Sequence, residues 1–99
     1  MRIIKELVKS ISEELDDASM YIDRALKYKD DDRELAETYY NLSKSEIEHA
    51  DIEHGQAMRI IRNYQGEVPV AMQAVWDFEH EKMIEDKANI KVRQAMYKG

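Results

Sequence analysis

The chain has 99 residues, enough for one domain with a modest hydrophobic core. It contains no cysteine, which excludes disulfide bonds, thiolate metal sites and cysteine nucleophiles. A formal net charge of −6 argues against nucleic acid as the main partner, because phosphate binding requires a basic surface. We find no apolar run of membrane-spanning length and no signal-peptide pattern, so we expect a cytoplasmic protein without a membrane partner.

The first predicted helix covers about residues 3–29. Its apolar residues recur on one broad stripe, as in an amphipathic helix that packs against a core. Glu14 lies at the edge of this stripe, seven residues after Leu7 and seven before Tyr21, whereas Glu13 faces away. If this helix contributes an inward carboxylate, that carboxylate is therefore Glu14. The stripe consists of Ile4, Leu7, Val8, Ile11, Leu15, Ala18, Ile22, Ala25 and Leu26.

The second predicted helix covers about residues 32–64 and follows a short acidic segment, KDDDRE at 29–34. A connection this short implies an antiparallel hairpin, and its aspartates are candidates for the helix N-cap. Glu46 and Glu53 fall in the middle of the apolar stripe, and His49 lies at its edge. Carboxylates that face a helical core need a partner, a proton or a metal ion. The predicted stripe is Leu35, Tyr39, Leu42, Glu46, Ala50, Glu53, Ala57, Ile60 and Tyr64.

The third predicted helix covers about residues 69–97, after a break in which Gly66 suits a C-cap and Pro69 suits the first helical turn. An acid, Glu79, again lies centrally among apolar neighbours. Nothing in the sequence separates a second domain, so we predict an all-α fold with three helices in a single domain, residues 1–99. The stripe on this helix is Met72, Val75, Trp76, Glu79, Met83, Asp86, Ile90 and Tyr97.

Glu46-Ile47-Glu48-His49 is an E-x-x-H motif. Residues three apart on a helix are neighbours, so Glu46 and His49 can reach the same ion. A carboxylate-rich site with one histidine suits hard or borderline cations such as iron or manganese. With Glu14 on the preceding helix, these residues could supply half of the ligands of the two-metal sites found in some helical bundles. Glu53 is a further candidate, either as a ligand or as an acid on an entry path.

The segments EELDDASMYIDRA at 13–25 and RELAETYYNLSKSEIEHA at 33–50 resemble the ferritin-like superfamily. The resemblance is strongest to the encapsulated ferritin-like proteins and weaker to the rubrerythrins. Those families place a glutamate on the first helix and E-x-x-H on the second, matched here by Glu14 and by Glu46 with His49.

The resemblance implies a ferritin-like bundle completed by dimerisation, in which two hairpins share a di-iron centre that oxidises Fe(II). Glu46 would bridge or chelate the metals, His49 would supply nitrogen, and Glu14 would be a terminal carboxylate. The implied metal is iron, as Fe²⁺ and Fe³⁺, with manganese or another divalent metal as the alternative. An encapsulin shell is the partner of such relatives, but the C-terminal QAMYKG does not resemble their apolar targeting tails.

Other interpretations of the same residues stay open at this stage. Glu79, with His80 or Asp86, would complete a metal site inside one subunit. His54 is expected to face solvent or to be hydrogen-bonded. The inward polar groups would otherwise specify pairing in a non-catalytic helical oligomerisation module, or bind a divalent metal that has a purely structural role.

Overall fold

The computed structural model describes residues 2–64 and 66–99. Within them the chain forms three α-helices, α1 (Arg2–Tyr28), α2 (Arg33–Arg62) and α3 (Val70–Lys98). The predicted ranges of 3–29, 32–64 and 69–97 differ from these bounds by one or two residues at each end. The all-α class is confirmed. None of the described helices combines the length and apolarity needed to cross a membrane.

The acidic segment between α1 and α2 ends one helix and begins the next. The backbone N–H groups of Asp31 and Asp32 donate to the Tyr28 carbonyl oxygen at 3.1 and 2.9 Å, which closes the last turn of α1. The Asp32 carboxylate then accepts a hydrogen bond from the Leu35 N–H at 3.0 Å and caps α2. Of the three aspartates that were candidates for the N-cap, Asp32 takes that position.

The second connection differs in detail from its prediction. The C-cap of α2 is Asn63, whose N–H donates to the Arg59 carbonyl oxygen, so the predicted C-cap at Gly66 is wrong. Gly66 has a φ of 95°, in the left-handed region that favours glycine, and it redirects the chain after α2 has ended. Pro69 is the N-cap of α3 and not part of its first turn, since its extended ψ of 137° precedes the helix.

The three helices run up, down and up in a bundle of 55 × 17 × 16 Å. At one end Trp76 of α3 packs in a cluster with Val8 of α1. At the other end the Lys29 ammonium, just after α1, donates to the Tyr97 carbonyl oxygen of α3 at 2.6 Å. α3 is therefore parallel to α1 and antiparallel to α2, and it packs mainly on α1.

Small side chains line the contact between α1 and α2. On α2 they recur every seven residues, and each is 0% exposed: Ala36, Ser43, Ala50 and Ala57. Ser43 donates from its hydroxyl to the Ala18 carbonyl oxygen of α1 at 2.8 Å. Its oxygen also accepts from the Gln94 amide of α3 at 3.0 Å, so this one hydroxyl contacts all three helices. Small residues at a regular interval let two helix backbones approach closely.

The buried face of α2 is rotated from the predicted stripe, whereas the buried residues of α1 and α3 fall on their predicted stripes. Leu35, Leu42 and Tyr64 are 37%, 40% and 41% exposed, although they were assigned to the core. Tyr40 and Ile47 are buried in their place. α2 contacts α1 on one side and α3 on another. The exposed members of the predicted stripe lie on the edge that α3 leaves uncovered, whereas its members Ala50 and Ala57 are buried as predicted.

We expect Ser43→Ala to lower the free energy of unfolding by about 1 kcal/mol relative to Thr38→Ala, because it removes hydrogen bonds between helices from a buried site. Thr38 is a matched control, since its exposed hydroxyl bonds only to Glu34 of its own helix. Both changes raise helix propensity, so the difference between them isolates the interhelical hydrogen bonds. Equal stabilities of the two variants in urea unfolding would contradict this role of Ser43.

Candidate functional site

One groove of the α1–α2 hairpin is lined by residues spaced seven apart, and we call it the hairpin face. All its members are partly buried. Carboxylates occupy the middle of the face, and apolar or aromatic side chains occupy its two ends. On α1 the members are Leu7, Glu14, Tyr21 and Tyr28, and on α2 they are Tyr39, Glu46, Glu53 and Ile60.

α3 lies on the opposite side of the hairpin. Its Arg93 guanidinium donates to the Ser19 hydroxyl of α1 at 2.7 Å. Its Lys87 forms an ion pair with Asp51 of α2 at 2.7 Å. Ser19 follows Glu14 by five residues and Asp51 follows Glu46 by five, which places each about 140° further around its helix. The hairpin face is therefore the side that α3 does not cover.

Glu14 holds the most perturbed carboxyl group of this face. Its Oε2 atom is buried without a hydrogen-bond partner. Burial is the largest cause that raises its pKa to about 8, followed by a hydrogen bond with the Glu53 side chain and by the negative charges of Glu53, Glu46 and Asp17. A hydrogen bond between two carboxyl groups requires a proton on one of them. At neutral pH Glu14 is therefore mostly protonated.

Glu46 connects the buried part of this cluster with its exposed edge. Its charge acts on Glu14, and its Oε1 atom lies 3.4 Å from Nδ1 of His49. The Glu46 side chain is 20% exposed and that of His49 is 55% exposed. The E-x-x-H spacing thus places a carboxylate and an imidazole side by side, as binding of one ion by both requires.

The predicted site residues divide into two groups. Glu14, Glu46 and Glu53 come together on the hairpin face, with His49 beside Glu46. Glu79 lies in the other groove, between α1 and α3, where it lines a cavity with Ser12 and Val8. Among residues 2–64 and 66–99, no three His, Asp or Glu side chains are arranged to hold a metal ion within one chain.

Sequence reasoning missed one contributor to the carboxylate cluster. The charge of Asp17 also raises the pKa of Glu14. The available signal was its spacing, since Asp17 follows Glu14 by three residues, close to one helical turn.

Tyrosine rings continue the hairpin face toward the connection between α1 and α2. The Tyr39 ring stacks on Tyr21 and Tyr28, with ring centroids 6.0 and 6.3 Å apart. The Arg24 guanidinium lies over the Tyr39 ring at 5.4 Å. Because Tyr21 follows Glu14 by seven residues and Tyr39 precedes Glu46 by seven, this stack adjoins the carboxylate cluster along the groove.

A second group of chemically active side chains joins α2 to α3. Nε2 of His54 lies 2.9 Å from Nδ1 of His80, so the prediction that His54 is solvent-facing or hydrogen-bonded is confirmed. Both rings lie against Trp76, with centroids 5.1 and 5.5 Å from the indole. Burial lowers the pKa of His54, and the charge of His80 lowers it further. The sequence signal for this contact was the spacing of Tyr40, Ile47 and His54, which places His54 on the buried side of α2.

No family model matches the sequence, and no match was found among curated proteins or among solved structures. The expectation of a ferritin-like protein therefore rests on the residues themselves, chiefly Glu14 and the E-x-x-H pair of Glu46 and His49.

We expect Glu14→Gln to change how stability depends on pH in metal-free buffer. The folded state raises the pKa of Glu14 from 4.5 to about 8, so between these values the folded chain binds more protons than the unfolded chain. Glu14 therefore contributes stability at low pH that is lost as the pH rises toward 8. As the pH rises from 4.5 to 8, the free energy of unfolding of Glu14→Gln should therefore increase relative to that of wild type.

The measurement is urea unfolding in the presence of a chelator at several values between pH 4.5 and 8.5. Glu13→Gln is the matched control, because the adjacent Glu13 carboxylate is exposed and pairs with Lys9 at 3.9 Å. The unfolding free energy of Glu13→Gln should depend on pH in the same way as that of wild type. If Glu14→Gln also shows the wild-type dependence on pH, Glu14 ionises normally.

Proposed function

We propose that this chain is a ferritin-like di-iron protein that oxidises Fe(II), with the iron site shared between two copies of the chain. The observation that supports this most is the partly buried Glu14 side chain, whose buried Oε2 atom has no hydrogen-bond partner and lies beside Glu46 and Glu53. Glu46 and His49 then supply the carboxylate and the imidazole of the E-x-x-H pair.

The crowded carboxylates favour a bound cation. In its absence the cluster is tolerated only because Glu14 keeps a proton near neutral pH, as its raised pKa indicates. A divalent cation would replace that proton and offset two of the three negative charges then carried by Glu14, Glu46 and Glu53. Carboxylate oxygens with one imidazole nitrogen suit iron better than they suit metals that prefer thiolates.

A second copy of the chain would supply the metal ligands that one chain lacks. In a two-fold symmetric pair, each subunit would present the same hairpin face, so Glu14, Glu46 and His49 would each occur twice in the site. The resulting set of four glutamates and two histidines is that of ferritin-like di-iron centres. The apolar residues along α2 beside this face, such as Leu35 and Leu42, would be covered by the same contact.

The residues of the site have distinct parts in this reaction. Glu14 would release its proton when iron binds, Glu46 would hold iron with its carboxylate, and the exposed edge at His49 would be the access side. Each Fe(II) substrate ion gives one electron to dioxygen or peroxide and becomes Fe(III). Several carboxylates around the iron favour oxidation, because their attraction increases with the charge of the ion.

We expect wild-type protein to bind about one Fe(II) per subunit anaerobically and to oxidise it faster than buffer alone on exposure to air. Glu46→Ala should weaken iron binding at least tenfold while leaving the helical circular dichroism unchanged. Glu48→Ala is the matched control, since Glu48 is exposed and lies outside the hairpin face. Iron content per subunit and absorbance during oxidation are the measurements.

Other outcomes of this titration separate the competing interpretations. Two irons per subunit would move the site into one chain and return Glu79 to consideration as a ligand. Tight binding of iron or another divalent metal without accelerated oxidation would indicate a structural metal site. No binding at micromolar iron, in a chain that is already dimeric, would overturn the proposal in favour of an oligomerisation module.

We expect Leu42→Lys to prevent pairing and to remove iron oxidation, although every proposed ligand is still present. Leu42 is 40% exposed and precedes Glu46 by four residues, so a charged side chain there would be desolvated in the proposed contact. Val92→Lys is the matched control, because Val92 is 61% exposed on α3. Sedimentation in the presence of iron should show dimers for wild type and for Val92→Lys, and monomers for Leu42→Lys. A dimeric Leu42→Lys variant would place the contact elsewhere.

A further inference from the structure

We propose that His54 and His80 form a second metal site, separate from the hairpin face, for a transition-metal ion that prefers imidazole nitrogen and square-planar or octahedral geometry, such as Cu²⁺ or Ni²⁺. The two histidines lie on different helices, and each is partly buried. Their facing nitrogens are 2.9 Å apart. This inference is independent of the proposed iron chemistry.

The separation of the two nitrogens fits one shared ion. Metal–nitrogen bonds of about 2.0–2.1 Å that meet at about 90° place the nitrogens about 2.9 Å apart. The ring planes of His54 and His80 differ by 21°, and their centroids are 4.9 Å apart. A rotation of both rings about their own side-chain bonds would turn the two nitrogen lone pairs toward a common point beside the present contact. The ion would then replace the single proton that the two nitrogens now share.

Packing holds the pair in position before any ion arrives. The His54 ring stacks on Trp76 with an interplanar angle of 29°, and Trp76 is only 9% exposed. The neighbouring ion pair between Asp51 and Lys87 fixes α2 and α3 at the same level of the bundle. Ligands that are already oriented bind metal with a smaller loss of side-chain entropy.

The coordination would be completed by water or by a small ligand. Within the described parts of the chain, no third His, Asp or Glu joins the pair in a metal-holding group. Asp51 is the nearby acid that acts on His54, but it is paired with Lys87. Two protein ligands leave positions open, so we expect exchangeable binding in the micromolar range and not a permanent structural ion.

Trp76 provides a fluorescent reporter beside the proposed second site. It is the only tryptophan of the chain and lies against both histidines, so Cu²⁺ bound there should quench its fluorescence. Wild-type protein is titrated with Cu²⁺ alongside His54→Gln and His80→Gln, each checked for helical content. We expect either substitution to raise the concentration needed for half-maximal quenching at least tenfold.

The matched control is His49→Gln, which removes the third histidine of the chain from the hairpin face. It should leave the quenching unchanged, as should Glu46→Ala. Because Glu46→Ala is expected to lose iron binding, failure of one proposal is distinguishable from failure of the other. Equal quenching in wild type and in both His54→Gln and His80→Gln, or no quenching in wild type, would overturn the second site.

Wild-type protein alone gives a second test that does not depend on how the variants fold. Ni²⁺ bound between the two rings should broaden the imidazole proton resonances of His54 and His80 before those of His49. Broadening of His49 first, or of all three histidines together, would overturn the assignment.

Discussion

The close contact between α1 and α2 is the constraint on which the other features depend. Alanines and Ser43, repeated every seven residues on α2, allow the two backbones to approach, and longer side chains on either side are pushed to the edges of the contact. On one edge α3 covers them. On the other edge Glu14, Glu46 and Glu53 are pressed together, with one carboxyl oxygen of Glu14 left without a partner. The perturbed ionisation of Glu14 is thus a product of helix packing.

The third helix gives the α1–α2 hairpin two chemically different sides, one that α3 covers and one that it leaves open. Where α3 contacts α1 or α2, side chains are paired: Arg93 with Asp23, Lys87 with Asp51, and His54 with His80. Along the hairpin face the carboxylates gather without a lysine or arginine among the groups that shift the pKa of Glu14. An ion pair compensates the loss of hydration of a buried charge, and a gathering of like charges increases it. This contrast directs the iron proposal to the hairpin face and the histidine site to the contact between α2 and α3.

Much of this arrangement was predictable from the sequence, and the exceptions have physical reasons. α1 and α3 each bury one face, so their apolar period identified the core correctly. α2 contacts two helices, and apolar residues on both edges of its buried face allowed Leu42 to be taken for core in place of Ile47. Spacing within a helix placed Glu46 beside His49. The partner of His54, and the groove occupied by Glu79, depend on the rotation of α3 against its neighbours, which a period along one helix does not specify.

The four residues between α1 and α2 have a consequence for the order of folding. Closing so short a loop costs little chain entropy, so we expect the hairpin to form early and α3 to dock afterwards. The groups that raise the pKa of Glu14 all belong to α1 and α2, so that carboxyl group meets its final electrostatic surroundings when the hairpin closes. Between about pH 4.5 and 8 the hairpin then takes up a proton from solvent as it forms. Formation of the hairpin is therefore coupled to protonation of Glu14.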